Sequence, residues 1–177
     1  MASSSLYLWP QEGLDYIMSV LPKGGTSPTS LYLGLMTTSW ATVEGYGYTN
    51  INVTLNTGTY IVNELASATG YTTRPTLSAA SWGANSTGSV TIGSNTISVR
   101  QSAYAAGTGI TITNSSGSTW AGVTGIFVCT SATVGQASGA GTTVLWYAPF
   151  SDQSTVTLAN GDSININPTW QSAPYPA

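Results

Sequence analysis

From Ser30 onward the sequence is a succession of short runs of β-forming residues, separated by clusters of Gly, Asn, Ser and Pro. In the first run, Leu31, Leu33 and Leu35 alternate with other residues and therefore share one face of a strand. Turn residues at these intervals are typical of sandwiches and barrels. The sequence therefore predicts a mainly β fold, an antiparallel β-sandwich or jelly-roll-like domain, with strands at 30–36, 51–55, 59–62, 90–92, 97–99, 110–113, 123–129, 143–150, 154–158 and 163–167.

One short N-terminal α-helix is expected over residues 10–21. Pro10 suits a first helical turn, and Pro22 followed by Lys, Gly and Gly ends the helix. Apolar residues recur at helical spacing between these signals, at Leu14, Ile17, Met18 and Leu21.

The chain divides into three predicted parts: an arm and helix at 1–25, a β-sandwich at 26–168 and an extended C-terminal tail at 169–177. Residues 37–63 are rich in Tyr, Gly and Thr, and we interpret them as an insertion on the outside of the sandwich. The chain holds three prolines after Asn167. Because proline resists ladder pairing, we expect the tail to run extended over a surface.

Residues 160–162, Asn-Gly-Asp, read as a turn between the last two strands. If those strands pair with each other, a two-residue turn would put their apolar residues on opposite faces. A three-residue turn would set Leu158 opposite Ile164 and Val156 opposite Ile166. The three-residue turn is therefore the expected one.

Only nine of the 177 residues are charged, and none is a histidine. An average soluble domain is about 25% charged, whereas this chain is 5% charged. Without histidine, the Ser–His and Cys–His nucleophile arrangements cannot form. The scarcity of charge also removes the repulsion that keeps small proteins apart, so the sequence favours a protein that packs against neighbours.

The three basic residues, Lys23, Arg74 and Arg100, are too few to line a nucleic-acid surface or a polybasic membrane contact. No uncharged run approaches the ~20 apolar residues of a membrane span, and the N-terminus lacks the features of a signal peptide. The single cysteine, Cys129, reads as a small buried strand residue. These features suit synthesis in a reducing cytoplasm, with no nucleic-acid or membrane partner.

Paired carboxylates could hydrolyse glycosides, and the candidate pairs are Glu12 with Asp15, Glu44 with Glu64, and Asp152 with Asp162. The first pair is explained more simply by a helix start and the third by turns, while the second has no assignment. A calcium site at Asp152 and Asp162 lacks a ligand-spaced loop. We predict no catalytic residue, no metal and no cofactor.

Six Trp and ten Tyr against two Phe indicate a bias towards rings with a polar group. Such rings are enriched at half-buried interfaces. Trp82 and Trp120 fit a core or an inter-subunit contact equally well. The aromatic arm and tail predict contacts with another subunit or a partner protein at Leu6, Tyr7, Leu8, Trp9, Trp170 and Tyr175.

The order of five segments resembles a family of small structural proteins of tailed phages, often labelled tail fibre proteins and similar to capsid decoration (cement) proteins. The family has a helix and then blocks of the forms L-Y-x-G-L-x-T, E-L-(small)-G-Y-(small)-R, W-G/A-x-V-T-x-(I/F)-x-(I/V), G-x-L-L-x-Y-A and G-D-(S/T)-I/L. The matching segments here are 31–37, 64–74, 120–128, 143–148 and 161–164, after the helix at 14–21.

The resemblance implies a non-enzymatic virion protein, most specifically a capsid decoration protein that binds and stabilises the phage head. Its implied partners are the major capsid protein and further copies of itself in a homotrimer. Its implied location is the capsid surface, after synthesis in the host cytoplasm. The alternative is a tail or tail-fibre component that binds host surface glycans. The family carries no catalytic residues that could be transferred to this chain.

Overall fold

The computed structural model describes residues 8–20, 22–26, 28, 30–50, 52–66, 69–92, 95–104, 108–150 and 154–172. The chain is mainly β, with 45% strand and 14% helix. The sheets are antiparallel apart from one short parallel pair, and none of the described sheets closes on itself. The predicted mainly β, antiparallel class is therefore confirmed.

Each expected strand segment overlaps an observed strand, although 90–92 and 97–99 cover only part of β5 and β6. Strands β4 and β13 were not predicted from the sequence, and neither was the break at Thr124 that separates β8 from β9. The strands are β1 (Ser30–Met36), β2 (Val53–Leu55), β3 (Tyr60–Val62), β4 (Thr76–Ser78), β5 (Ser86–Ile92), β6 (Asn95–Ala103), β7 (Ile110–Thr113), β8 (Trp120–Val123), β9 (Gly125–Cys129), β10 (Val144–Pro149), β11 (Val156–Leu158), β12 (Ser163–Ile166) and β13 (Thr169–Ser172).

The predicted N-terminal helix is confirmed as α1 (Gln11–Val20), and the carbonyl of Pro10 accepts its first hydrogen bonds. Its buried residue is Gly13, where the helix lies close against β10. A Cβ at this position would be 2.3 Å from the carbonyl oxygen of Leu145. Leu14 and Met18 are 40% and 56% exposed. The apolar spacing thus predicted the helix correctly but not the face that it buries.

The centre of the fold is a four-stranded antiparallel sheet in the order β10-β9-β1-β4. Both of its faces are covered. Leu33 and Leu35 of β1 belong to one apolar cluster, which includes residues of β7, β8, β11 and β12. Met36 belongs to a second cluster with Phe127 and Tyr147. This double burial explains why β9 is apolar along its whole length rather than alternating.

The interpretation of residues 37–63 as an external insertion is wrong. The segment contains a second helix, α2 (Trp40–Thr49), whose N-terminus is capped by Ser39. Trp40 and Val43 are buried in the second cluster, together with residues of β2 and β3. The glycines and tyrosines of α2 have modest helix propensity, so the helix depends on tertiary packing that the local sequence does not reveal.

The expected hairpin between the last two strands is also wrong. Strand β11 pairs with β8, so that Leu158 lies opposite Trp120. Strand β12 pairs with β7, so that Ile164 lies opposite Ile112. The turn itself is present, with Asp162 Oδ2 accepting a hydrogen bond from the backbone of Ala159 at 2.8 Å. The chain therefore turns at the predicted place, but the strands before and after the turn pair with different partners.

A separate three-stranded antiparallel sheet has the order β13-β6-β5. Its β13 consists of the first four residues of the predicted C-terminal tail, with Thr169 opposite Ala103 and Ser172 opposite Arg100. The start of the tail is thus a strand of a sheet. Residues 173–177 lie outside the described part of the chain.

Gly34 allows β1 to pack closely against β9. A Cβ at this position would lie 2.0 Å from Cζ of Phe127, whose ring is fully buried. We expect Gly34→Ala to lower the free energy of unfolding by about 1–3 kcal/mol, because the ring has no free space to move into. Urea denaturation measures this effect.

Gly45→Ala is the matched control, because nothing lies within 4 Å of a Cβ at that helical position. It should leave stability unchanged or raise it by up to about 1 kcal/mol, since alanine favours a helix over glycine. Equal losses of stability in the two variants would contradict the packing argument.

Candidate functional site

Glu64 and Arg74 form an ion pair that is buried inside the protein. Arg74 Nε lies 2.7 Å from Glu64 Oε1, and Arg74 Nη2 lies 2.8 Å from Oε2, so the pairing is bidentate. The two side chains are 0% and 1% exposed. Such a parallel arrangement is the most favourable geometry for an arginine–carboxylate pair.

The backbone places both residues beside the central sheet. Glu64 follows β3 and forms an antiparallel bridge with Met36 of β1. The next amide, of Leu65, donates to the carbonyl of Leu35. Arg74 precedes β4, and its amide donates to the carbonyl of Ala132. Strand pairing therefore brings the two charges together from opposite ends of the 64–74 segment.

The ion pair also holds the loop that joins β9 to β10, residues 130–143. Arg74 donates to the carbonyls of Ser131 at 2.9 Å and Gln136 at 3.2 Å. Glu64 Oε2 accepts from the amide of Gly135 at 2.7 Å. The Gly-rich run 135–141 lies in this connection between two paired strands, and side chains from distant segments hold it in place.

Aromatic and sulfur groups surround the pair. The Arg74 guanidinium lies 5.2 Å from the centre of the Phe127 ring, an arrangement that favours a cation. Its Nη1 also contacts Cys129 Sγ at 3.4 Å. Burial raises the pKa of the Cys129 thiol, and the nearby Arg74 charge lowers it by less. The prediction that Cys129 is a buried strand residue is confirmed.

Tyr71 connects the ion pair to the apolar cluster that contains Leu33 and Leu35. Its hydroxyl accepts a hydrogen bond from the amide of Leu35 at 3.3 Å, and its ring packs edge-on against Trp120 at 5.4 Å. Burial, and then the negative charge of Glu64, raise the pKa of Tyr71 well above that of a free tyrosine. Trp120 is itself buried and donates to the carbonyl of Thr69, which assigns it to the core.

A second carboxylate, that of Glu12, holds the same loop at Ser138. Glu12 of α1 accepts a hydrogen bond from Ser138 Oγ at 2.7 Å, and Ser138 Oγ in turn accepts from the amide of Leu55 at 2.8 Å. Burial raises the pKa of Glu12, although its hydrogen bonds to Ser138 and to the amide of Val144 oppose the increase. The loop thus connects α1, β2 and the ion pair.

Three described members of the predicted carboxylate pairs, Glu12, Glu64 and Asp162, have hydrogen-bond partners outside their pair. Glu12 accepts a hydrogen bond from Ser138, whereas the side chain of Asp15 is exposed. Both oxygens of Glu64 are occupied by Arg74. Asp162 serves the turn described above, and Asp152 lies outside the described residues. The part of the chain that the structure describes contains no group of three or more His, Cys, Asp or Glu residues that could hold a metal ion.

The six predicted interface residues have different positions. Leu6, Tyr7 and Tyr175 lie outside the described ranges. Leu8 forms an antiparallel bridge with Tyr147 of β10, and Trp9 is half-buried against the main core. Trp170 belongs to β13, opposite Ser102. The arm is therefore attached to its own chain at Leu8 and Trp9, and the interface role of all six stays a prediction.

Sequence reasoning left Glu64 without an assignment and did not pair it with Arg74. A signal was available, because these two are the only charged residues between Glu44 and Arg100. Two opposite charges isolated in an uncharged stretch have few alternatives to each other if both are buried. The sequence alone does not show that both are buried.

No protein-family model, curated protein or solved structure matches this chain. No described helix is long and apolar enough to cross a membrane.

Removing one partner of the ion pair should strongly destabilise the fold. We expect Arg74→Met and Glu64→Gln each to lower the free energy of unfolding by about 3–5 kcal/mol, because each leaves a buried polar or charged group unpaired. The double variant should lose less than the sum of the two losses, with a coupling of more than about 1 kcal/mol in urea denaturation. Arg100→Met, at an exposed arginine, is the control and should change stability by less than about 0.5 kcal/mol. Strictly additive losses would contradict the coupling.

Glu12 should make stability depend on pH. The pKa of Glu12 is raised in the folded state, so folding favours its protonated form. The contribution of this protonation to stability is complete below the ordinary carboxyl value of 4.5 and is lost as the pH rises through the raised value. Glu12→Gln should therefore be more stable than the wild type at pH 7, and the difference should shrink as the pH falls through the raised value and vanish below 4.5. Thermal unfolding across this pH range measures it. Asp15→Asn removes one negative charge from the exposed side of the same helix, and an identical profile for this variant would contradict the role of burial at Glu12.

Proposed function

We propose that this chain is a non-enzymatic structural protein of a tailed-phage virion, and most specifically a capsid decoration protein that binds and stabilises the head. The observation that carries the proposal is where the segments of the family resemblance lie. Segments 31–37, 120–128 and 143–148 coincide with β8 and with most of β1, β9 and β10. Segment 64–74 begins and ends with the two partners of the buried ion pair.

These segments depend on one another through contacts. Gly34 of the first segment leaves room for Phe127 of the third, and the Phe127 ring lies beside Arg74 of the second. Tyr71 of the second packs on Trp120 of the third. A pattern whose members meet in one core is more coherent than the same residues scattered over loops, and this supports the resemblance.

The distribution of charge also supports a role among neighbours. Of nine charged residues, two are buried in the ion pair, which leaves seven for the rest of a chain with 9181 Å² of accessible surface. A surface with so few ions can be buried with little desolvation cost, and its hydroxyl and amide groups can still form hydrogen bonds across an interface.

We infer that the two apolar clusters on either face of the central sheet belong to a sandwich or jelly-roll-like arrangement. In the proposed role a homotrimer contacts several copies of the major capsid protein at once. Several modest contacts repeated across a shell give high avidity and oppose internal pressure. The chain itself performs no chemistry in this role.

Copy number and location on purified particles test the proposal. A decoration protein is expected on the capsid surface in a number that matches the shell lattice, by quantitative gel staining and by electron cryomicroscopy. A few copies located on the tail would support the alternative, a tail or tail-fibre component that binds host glycans. Absence from particles would overturn both functions.

Deletion of residues 1–7 and 173–177 should abolish binding to undecorated heads while the described domain stays folded. Leu6, Tyr7 and Tyr175 lie in these segments, whereas Leu8, Trp9 and Trp170 are retained. Co-sedimentation with heads measures occupancy, and circular dichroism checks the fold.

The matched control is Leu14→Ser with Met18→Ser, which removes the exposed apolar residues of α1 and leaves both termini intact. Full occupancy by the truncated protein would contradict the assignment of the arm and tail. Loss of binding in the control alone would move the contact to α1.

A further inference from the structure

Strand β5 is a long edge strand. It pairs with β6 over seven residue pairs, from Ser86 opposite Gln101 to Ile92 opposite Asn95, with no register shift. On its other side no described strand pairs with it. Ser86, Thr87 and Ser89 have exposed side chains. The outer edge of β5 therefore presents a straight row of backbone groups.

The chain covers another edge with its own backbone. On β10, the amide and carbonyl of Tyr147 exchange hydrogen bonds with Leu8 at 2.9 and 3.0 Å, and α1 packs on the same strand through Gly13. Within the described residues, nothing comparable lies against β5. The contrast makes β5 the longest sheet edge left open by the described chain.

The register decides which backbone groups point outward. Ile92 and Asn95 end the ladder with only two residues between them, so they must be a hydrogen-bonded pair. Hydrogen-bonded and non-bonded pairs alternate in an antiparallel ladder. The residues of β5 whose N–H and C=O groups point away from β6 are therefore Thr87, Ser89 and Thr91.

Edge strands in monomeric proteins usually carry features that prevent pairing, such as lysine, proline or a β-bulge. The sequence of β5, Ser-Thr-Gly-Ser-Val-Thr-Ile, has no charge and no proline, and its ladder has no bulge. A charged neighbour, Arg100 on β6, is turned onto the sheet face, where it donates to Thr87 Oγ1 at 3.2 Å and to the carbonyl of Asn85 at 3.2 Å. The edge is thus unprotected against another strand.

We propose that the β5 edge binds β5 of a second copy of this chain, as an antiparallel pair about a two-fold axis at Ser89. With Ser89 opposite Ser89 of the second copy, Thr87 lies opposite Thr91, and all outward N–H and C=O groups find partners. Two three-stranded sheets thereby become one continuous sheet.

Self-pairing fits β5 better than pairing with a charged or strongly apolar strand does. A two-fold axis sets like residues close together, which is unfavourable for charged side chains and harmless for hydroxyls. The described side chains of the edge are Ser and Thr hydroxyls, which can also hydrogen-bond across the pair. The pairing does not depend on the proposed virion role, and in a shell it would join neighbouring oligomers.

A cysteine cross-link tests both the contact and its register. In the proposed pair the two Ser89 Cα atoms lie about 5.5 Å apart, within the range of a disulfide. Oxidised Ser89→Cys should therefore give a covalent dimer on a non-reducing gel. Ser86→Cys is the matched control, because its two copies would be about 20 Å apart along the strands. The native Cys129 is fully buried and should not react.

A backbone variant tests the hydrogen bonds. Ser89→Pro removes an outward N–H without breaking a bond to β6, so the domain should stay folded, while Ser89→Thr keeps that N–H. In sedimentation over a range of concentrations, we expect Ser89→Pro to weaken the two-fold association by at least about tenfold and to halve the mass seen for the wild type. Ser89→Thr should associate like the wild type. Circular dichroism of both variants checks the fold.

Other results would overturn the proposal. Cross-linking of Ser86→Cys but not Ser89→Cys would exclude this register, and equal association of Ser89→Pro and wild type would exclude the edge. A wild type that stays monomeric, with the amides of Thr87, Ser89 and Thr91 protected from hydrogen exchange, would mean that the chain covers its own edge, for example with residues 1–7. A monomer in which these amides exchange freely would also exclude a second copy.

Discussion

The bidentate ion pair between Glu64 and Arg74 is the interaction on which the rest of the structure depends. Two buried ions are costly to remove from water, and only complete hydrogen bonding offsets that cost. Here the carbonyls of Ser131 and Gln136 and the amide of Gly135 complete it. The pair therefore fixes Glu64 and Arg74, the C-terminal end of β1 and the β9–β10 loop relative to one another. The same loop hydrogen-bonds to α1 and β2 through Ser138. The loop and the ion pair together therefore connect α1, β1 and β2.

This use of charge is consistent with a protein that works by contact. Two of the few charged residues stabilise the interior, and the surface keeps few charges in a chain whose polar side chains are mostly hydroxyls and amides. Such a surface offers little long-range repulsion and many short-range hydrogen bonds. The open edge of β5 has the same character, since Ser and Thr line it without any charge. The proposed role on a capsid and the proposed pairing of β5 thus arise from one property of the chain, although each is tested separately.

The mainly β class, the helix α1 and the positions of most strands could be predicted from the sequence, because these depend on local spacing and on turn residues. The second helix could not, since its stability comes from Trp40 and Val43 packing on β2 and β3. The sequence also did not allow us to predict which strands pair with each other. The turn at Gly161 was correct, yet β11 and β12 joined β8 and β7 instead of each other, because long-range partners compete with the local hairpin. For the candidate site, the sequence supplied two isolated charges but no reason to bury them together.

By itself, the sequence determined what kind of protein this can be. Its alternating apolar runs require sheets, and the lack of histidine removes the common nucleophile arrangements. Only the tertiary structure decided which residues meet. It turned Gly13 rather than Leu14 towards β10, buried Glu64 against Arg74 and left β5 open at the edge of its sheet. The reason is physical: composition and periodicity act over a few residues, whereas burial and strand partnership are set by competition among segments far apart in the chain.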